Sequence, residues 1–165
     1  MLAVLAWPLT LPAIAAESRS PTQAAPAEEV VARRELVTAA FQWLEATLAA
    51  DFAAQSKFYP ERMDAFYLWR DVPRAEVLAE KRRVFEQART IDIRIDPPQL
   101  LMDPGGRSGR MYFRKTYAIE GKLNRTGEVL QELRWIKQAD GWKITSERDL
   151  RVIREPRRQP SSATQ

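Results

Sequence analysis

Apolar and polar residues alternate along most of the second half of the chain. Between residues 91 and 96, isoleucines at every second position are separated by Asp92, Arg94 and Asp96. A period of two residues is typical of a strand with one buried face. We predict four strands and one short edge segment, over residues 90–97, 110–123, 128–139, 142–153 and 100–102.

Turn residues indicate how the last strands connect. Asp140-Gly141 favours a two-residue hairpin, because both central positions of a type I′ turn need positive φ. Residues 124–127 are predicted to form the preceding hairpin loop. The predicted inward positions are apolar, namely Met111, Phe113, Tyr117, Ile119, Val129, Leu133, Trp135, Trp142 and Ile144.

The first half of the chain shows the longer period of helices. Over residues 28–50, large apolar residues recur in steps of three, four and seven, which predicts an amphipathic helix. Its predicted buried stripe consists of Val30, Val37, Phe41, Leu44 and Leu48.

Three shorter helical segments are predicted next. Asp51 is expected to cap a helix over residues 52–58, and Pro60 favours a helical piece over residues 61–69. Pro73 is expected to open a further helix over residues 74–88. The predicted apolar face of that helix is formed by Ala75, Leu78, Phe85 and Ala88.

The order of elements predicts an α+β fold. Amphipathic helices and a sheet with one apolar face bury those faces against each other. We therefore expect three N-terminal helices packed on a strongly curved antiparallel sheet, with a cone-shaped cavity between them.

The two ends of the chain differ from this domain in composition. Residues 1–16 carry no charge and end in small residues, which predicts a signal peptide, although its positive start is missing and is expected upstream. Residues 17–27 are predicted to be a flexible linker, 28–153 the folded domain and 154–165 a disordered tail. We expect a periplasmic or secreted protein without a membrane span in its mature form.

Composition excludes several kinds of chemistry. The chain has 165 residues and contains neither cysteine nor histidine, which excludes thiol nucleophiles, Ser-His-Asp triads and histidine metal sites. We predict no cofactor and no metal site. The net charge is +4 with scattered basic residues, and we predict no nucleic-acid binding.

Several segments together resemble one superfamily. They are FQWL at residues 41–44, FYPERMDAFY at 58–67, RAEVLAEKRRVF at 74–85 and ELRWIKQADGWKITSE at 132–147. The domain resembles the nuclear transport factor 2-like (SnoaL-like, cystatin-like α+β cone) superfamily. Within it, the domain looks most like exported domains that accompany bacterial L,D-transpeptidases. The catalytic cysteine and histidine of those transpeptidases are absent, so the resemblance implies an accessory domain.

The resemblance leaves two functions open. The first is an exported, non-catalytic binding or adaptor domain of the cell envelope, with a partner protein, a peptidoglycan-related ligand or a small apolar molecule. The second is a small SnoaL-like or isomerase-like enzyme with a carboxylate and a tyrosine in the cone, for which we single out Asp64 and Tyr67. A cone filled by Phe113, Trp135 and Trp142 would favour the first function, and a carboxylate in an open apolar cavity the second.

Further candidates would serve either function. The predicted ligand-binding residues are Tyr59, Tyr67, Trp69, Tyr117 and Trp135, and Glu147 is a further polar residue expected near the interior. The side chains of residues 81–83 fan around a helix, so they are expected to form surface ion pairs rather than one anion site.

The outer face of the sheet is a candidate dimer interface. It carries mixed charges that suit a two-fold axis, and the resemblance implies a homodimer through it. Its predicted residues are Tyr112, Arg114, Thr116, Glu132, Arg134, Lys143 and Thr145.

Overall fold

A computed structural model describes residues 27–122 and 124–157. The predicted signal peptide, most of the linker and residues 158–165 lie outside them. The described elements are α1 (Ala27–Leu48), α2 (Phe52–Ser56), β1 (Arg62–Phe66), β2 (Trp69–Pro73), α3 (Arg74–Gln87), β3 (Ala88–Ile95), β4 (Gln99–Met102), β5 (Ser108–Gly121), β6 (Arg125–Gln138) and β7 (Gly141–Arg157). None of the helices in this part of the chain combines the length and apolar content that a membrane span requires.

The strands form one large curved sheet against which the helices pack. The strand order is β2-β1-β7-β6-β5-β3, and β4 pairs with the first residues of β5, from Gly109 to Tyr112. The α+β fold class is confirmed. The sheet is mixed rather than wholly antiparallel, because β1 runs parallel to β7, with Ala65 opposite Ser146 and Phe66 opposite Glu147.

The strands of the second half agree with their predictions. All five predicted segments are strands, and the edge segment pairs with β5 as β4. A two-residue turn at Ala139-Asp140 connects β6 and β7, with Gln138 opposite Gly141. The predicted type I′ turn at Asp140-Gly141 is therefore wrong by one residue, and of these residues Gly141 alone has a positive φ. The last strand is longer than predicted and extends to Arg157, which pairs with Thr126.

Helix α1 is confirmed, but its buried face is shifted by about one residue from the predicted stripe. Val30, Phe41 and Leu48 are exposed, whereas the buried positions are Ala32, Leu36, Ala39, Trp43, Ala46 and Thr47. Small residues let the helix approach the sheet closely. Leu36 lies where a side chain on Gly109 would be, with its Cδ2 2.9 Å from that Cβ position.

The prediction of a helical piece over residues 61–69 is wrong. Residues 62–73 form the β1–β2 hairpin, with Phe66 opposite Trp69. The turn places Tyr67 at a φ of 51°, and the amide of Tyr67 donates to the carbonyl of Glu147 at 2.6 Å. The segment forms a strand because β7, which lies about eighty residues further along the chain, supplies the hydrogen-bond partners that a strand needs.

The two remaining helices are confirmed with local corrections. The side chain of Asp51 caps α2 by accepting from the amide of Ala54 at 2.9 Å, and α2 ends two residues earlier than predicted. Helix α3 begins directly after Pro73. Its buried positions are Val77 and Lys81 rather than the predicted face, in which Ala75 is exposed.

Candidate functional site

A cavity of about 300 Å³ lies between the helices and the concave face of the sheet. It falls at the lower end of the roughly 300–1,000 Å³ typical of small-molecule sites. Most of its wall is apolar and is formed by Trp43, Leu44, Phe66, Val84, Phe85, Ile91, Ile93, Ile95, Phe113 and Ile119. The cone is therefore open, although Phe113 lies on its wall.

Glu147 is the centre of the polar wall. Its side chain is about 2% exposed, and Lys81 Nζ lies 2.8 Å from Oε1 and 2.9 Å from Oε2. The hydroxyl of Tyr67 donates to Oε1 at 2.9 Å and that of Tyr59 to Oε2 at 3.3 Å. The indole of Trp43 donates to the Tyr59 hydroxyl at 3.2 Å. This network satisfies both carboxylate oxygens.

The network keeps Glu147 ionised. Burial alone would raise the pKa of its carboxyl, but the charges of Lys81 and Lys115 and the hydrogen bonds outweigh burial and lower the pKa. Burial, assisted by the charge of Glu147, raises the pKa of Tyr59 and Tyr67 well above the usual range. Glu147 is thus a fixed anion and the tyrosines are fixed donors.

A second ion pair lies on the same wall and joins a buried lysine to an aspartate whose side chain is 29% exposed. Lys115, on β5, has a side chain that is 11% exposed, and its Nζ lies 3.6 Å from Oδ1 of Asp149 on β7. The same Oδ1 accepts from Nε2 of Gln131 at 3.2 Å. The Lys115 ammonium position is also 5.6 Å from the centre of the Tyr117 ring. This contact is looser than the one between Lys81 and Glu147.

Burial shifts both members of this pair toward their neutral forms. It lowers the pKa of Lys115, against the opposing charges of Asp149 and Glu147. It raises the pKa of Asp149, with Glu147 acting in the same direction and Lys115 against it. A lysine and an aspartate with pKa values displaced toward neutrality are suited to accept and donate protons.

No protein-family model matches the sequence, and no curated protein matches it. Solved structures do match. A proposed dehydratase of the NTF2-like (nuclear transport factor 2-like) family from Streptomyces avermitilis is 15% identical, with a TM-score of 0.61 over 73% of this chain and 95% of that one. A proposed scytalone dehydratase from Novosphingobium aromaticivorans is 10% identical, with a TM-score of 0.65 over 81% and 91%.

A hexachlorocyclohexane dehydrochlorinase, LinA type 2, is 6% identical and has a TM-score of 0.62 over 81% of this chain and 93% of that one. The chain has the nuclear transport factor 2-like fold. At these identities the likeness concerns the fold alone. The nuclear transport factor 2-like fold is compatible with the enzyme interpretation at least as well as with the binding one.

The cone brings together only some of the residues predicted from sequence. Tyr67 and Tyr117 line the cavity, and Tyr59 is buried behind it in contact with Glu147. Trp69 is 54% exposed on the hairpin, and Trp135 is buried in the core, with its ring 6.2 Å from that of Phe58. Neither tryptophan lines the cavity. Trp135 lies on the same sheet face as Phe113 but further along it, opposite Gly109.

Asp64 does not belong to this site. It is exposed on β1, where Met63 and Ala65 on either side are buried. Alternation along the strand therefore turns its carboxylate away from the interior. Within the described part of the chain, the carboxylates that line the cavity are those of Glu80, Glu147 and Asp149. The Glu80 carboxylate is paired with Arg83.

The expectation that residues 81–83 form surface ion pairs is wrong for Lys81. This residue lies in the cavity, with its Nζ 5.2–5.7 Å from the ring centres of Tyr59, Phe66 and Tyr67. Arg82 and Arg83 are at the surface as expected. Arg83 pairs with Glu80, and the Arg82 guanidinium lies 4.5 Å from the Phe52 ring centre.

Sequence reasoning also missed Lys115 and Asp149. Lys115 occupies an inward position between Phe113 and Tyr117, and a lysine at such a position is the signal that could have identified it. No group of three or more acidic side chains that could hold a metal ion occurs in residues 27–122 and 124–157.

Proposed function

We propose that the protein is an enzyme that performs acid–base chemistry on a small, mainly apolar carbonyl compound bound in the cone. The observation that carries this proposal is the Lys115–Asp149 pair, which lies on the polar wall of an otherwise apolar cavity. Apolar walls hold the body of such a ligand, and the few polar groups orient its carbonyl group.

Asp149 is the proposed base. Its carboxylate removes a proton from the carbon next to the carbonyl group and returns it to another position or to water. The raised pKa of Asp149 makes it a stronger base than an ordinary aspartate. Lys115 is the proposed partner that withdraws electrons from the carbonyl group as the carbanion forms.

Glu147 has a positioning role in this proposal. Both of its oxygens already accept hydrogen bonds from Lys81 and the two tyrosines, which makes it a poor base. Its negative charge stabilises positive charge on the same wall, including that of Lys115. The network also holds Tyr67 at the edge of the cavity.

Proton exchange tests this function without knowledge of the natural substrate. The probe is 2-tetralone, a bicyclic ketone with exchangeable protons next to its carbonyl group. We expect the protein in D₂O to accelerate loss of those proton signals in ¹H NMR, and Asp149→Asn to lower the rate about 10²–10⁴-fold. The matched control Asp64→Asn changes an exposed carboxylate and should leave the rate unchanged. Equal rates for wild type and Asp149→Asn would contradict the proposal.

The second candidate is ligand binding without chemistry, which the open cavity itself favours. This candidate corresponds to the exported accessory domain of the cell envelope that was predicted from the sequence, similar to the domains that accompany L,D-transpeptidases. Such a domain would bind a partner protein or a peptidoglycan-related ligand. Binding of 2-tetralone without exchange above the buffer rate would favour this candidate. N-terminal sequencing of protein recovered from the periplasm tests the proposed export.

A further inference from the structure

We propose that Lys115 forms a reversible imine with an aldehyde or ketone ligand in the cone. This inference rests on the proposed function, because it assumes a carbonyl compound in the cavity. It replaces a hydrogen bond to the carbonyl oxygen by a covalent link to the carbonyl carbon.

The cavity contains two lysines, and they differ in how firmly their amines are held. Lys81 Nζ is within 2.9 Å of both oxygens of Glu147 and lies among three aromatic rings. The nearest carboxylate oxygen to Lys115 Nζ is 3.6 Å away. The amine of Lys81 is therefore committed to an ion pair, whereas that of Lys115 is available to a ligand.

The surroundings of Lys115 favour a neutral amine, which is the nucleophilic form. The residue lies on β5 between Phe113 and Tyr117 and opposite Val129 on β6. Its side chain is almost wholly buried within the cone, and burial lowers its pKa. Asp149 is close enough to receive a proton from the ammonium and return it during the reaction.

The proposed step balances as a condensation. The Lys115 lone pair attacks the carbonyl carbon, and the carbon–oxygen π electrons move to oxygen, which takes a proton from the Asp149 carboxyl group. The nitrogen then gives up a proton to Asp149, and Asp149 passes that proton to the hydroxyl group. Water leaves as the nitrogen lone pair forms the carbon–nitrogen double bond of a protonated imine, which returns the proton to the Asp149 carboxylate. One amine and one carbonyl compound thus yield one imine and one water, and hydrolysis reverses the reaction.

The imine would also assist the proton transfer proposed above. A protonated imine withdraws electrons from the neighbouring carbon more strongly than a carbonyl group does. The proton that Asp149 removes is therefore more acidic once the link has formed. Lys115 and Asp149 would act on adjacent atoms of the same ligand.

Reductive trapping tests the inference. The full chain is incubated with 2-naphthaldehyde and sodium cyanoborohydride, which reduces an imine to a stable secondary amine, and the modified lysine is located by peptide mass spectrometry. We expect the adduct mainly at Lys115, with loss of that adduct in Lys115→Arg, which keeps the positive charge beside Asp149. The control Lys122→Arg changes an exposed lysine and should keep the Lys115 adduct.

A parallel binding measurement separates this inference from the proposed function. Saturation-transfer NMR with 2-naphthalenemethanol, which has no carbonyl group, reports whether the cone accepts the same ring system. Binding of the alcohol without an adduct at Lys115 overturns the imine and leaves the pocket intact. Absence of both overturns the imine together with the pocket, and adducts spread evenly over exposed lysines overturn the imine.

Discussion

Glu147 is the residue on which the polar wall of the cone depends. A carboxylate that is almost fully buried is costly unless it is paired and hydrogen-bonded. Lys81 and two tyrosines supply those partners. Removal of one member of a buried ion pair leaves the other charge without compensation, whereas removal of both can be nearly neutral.

A double-mutant cycle at Lys81 and Glu147 tests this dependence. We expect Glu147→Gln and Lys81→Met each to lower the free energy of unfolding by about 3–5 kcal/mol. The double variant should lose less than the sum of the two, because neither charge is then left unpaired. Urea denaturation measures all four proteins.

The surface pair of Glu35 and Lys137 provides the control for this cycle. Its side chains are each 42% exposed, so Glu35→Gln should change stability little.

The contribution of Glu147 to the free energy of unfolding also depends on pH. Since the pKa of Glu147 is lowered by folding, its contribution is complete above the unfolded pKa of about 4.3 and fades as pH falls below it. Additive losses in the double variant would contradict the assigned coupling.

At the scale of elements, local pattern identified strands better than it identified the contacts of helices. The alternation of Ile91, Ile93 and Ile95 predicted β3 because a period of two residues needs no knowledge of the partner strand. The buried face of α1 differs from the predicted stripe because the prediction considered only large apolar residues. Three of the buried positions are instead the alanines Ala32, Ala39 and Ala46. The hairpin around Tyr67 depends on β7 and on a positive φ, and neither is visible in residues 61–69.

In the candidate site, even more of the contacts join residues that are far apart in the sequence and are therefore not visible in local patterns. Tyr67, Tyr117 and Glu147 could be named from sequence as polar residues of a cone. Their pairing with Lys81 could not, because Lys81 and Glu147 are 66 residues apart and meet only when α3 lies across β7. Asp64 was predicted as the carboxylate partner of Tyr67 with a helix expected over residues 61–69, whereas that segment forms strand β1.

The junction of α3, β3 and β5 requires a glycine at position 121. Gly121 pairs with Ala88 and has a φ of 150°. A Cβ atom there would lie 2.2 Å from the backbone oxygen of Gln87. Gly121→Ala should therefore disturb the chain where the helix enters the sheet.

The expected loss combines backbone strain with a backbone clash. Gly141→Ala is the matched control, because Gly141 has a φ of 115° and nothing within 4 Å of its Cβ position. We expect Gly121→Ala to lower the free energy of unfolding by about 1–3 kcal/mol more than the control does. Thermal and urea unfolding measure the difference. Equal losses would show that the junction relaxes around the added methyl group.

At the scale of the whole molecule, the order of elements was enough to predict the fold class. Helices followed by a long meander leave few ways to cover one apolar sheet face. The volume inside the cone could not be predicted, because it depends on where α1 and α3 lie against the curved sheet. Three large aromatic residues were expected to fill the cone if it was closed. Phe113 lies on the cavity wall, whereas Trp135 and Trp142 are buried outside that wall.

The outer face of the sheet remains the predicted dimer interface. Its register places Thr116 beside Glu128, and Glu128 beside Arg154. Glu128 and Glu132 have almost no exposed side-chain surface, and they pair with Arg114 and Arg134 within the same chain. Lys143 is buried by contacts with Asp140 and the carbonyl of Lys57. The exposed part of this face is thus rich in arginine.

Charge added to this face should weaken a two-fold dimer. In such an interface each residue occurs twice, so a new cation faces the arginines of the other copy as well as its own equivalent. We expect native mass spectrometry to detect a wild-type dimer and Thr116→Arg to shift the protein toward monomer. The control Thr38→Arg adds the same charge at an exposed position of α1 and should leave the dimer intact. A dimer that persists in Thr116→Arg but dissociates in Thr38→Arg would show that the interface involves α1 rather than the sheet. A monomeric wild type would contradict the predicted dimer.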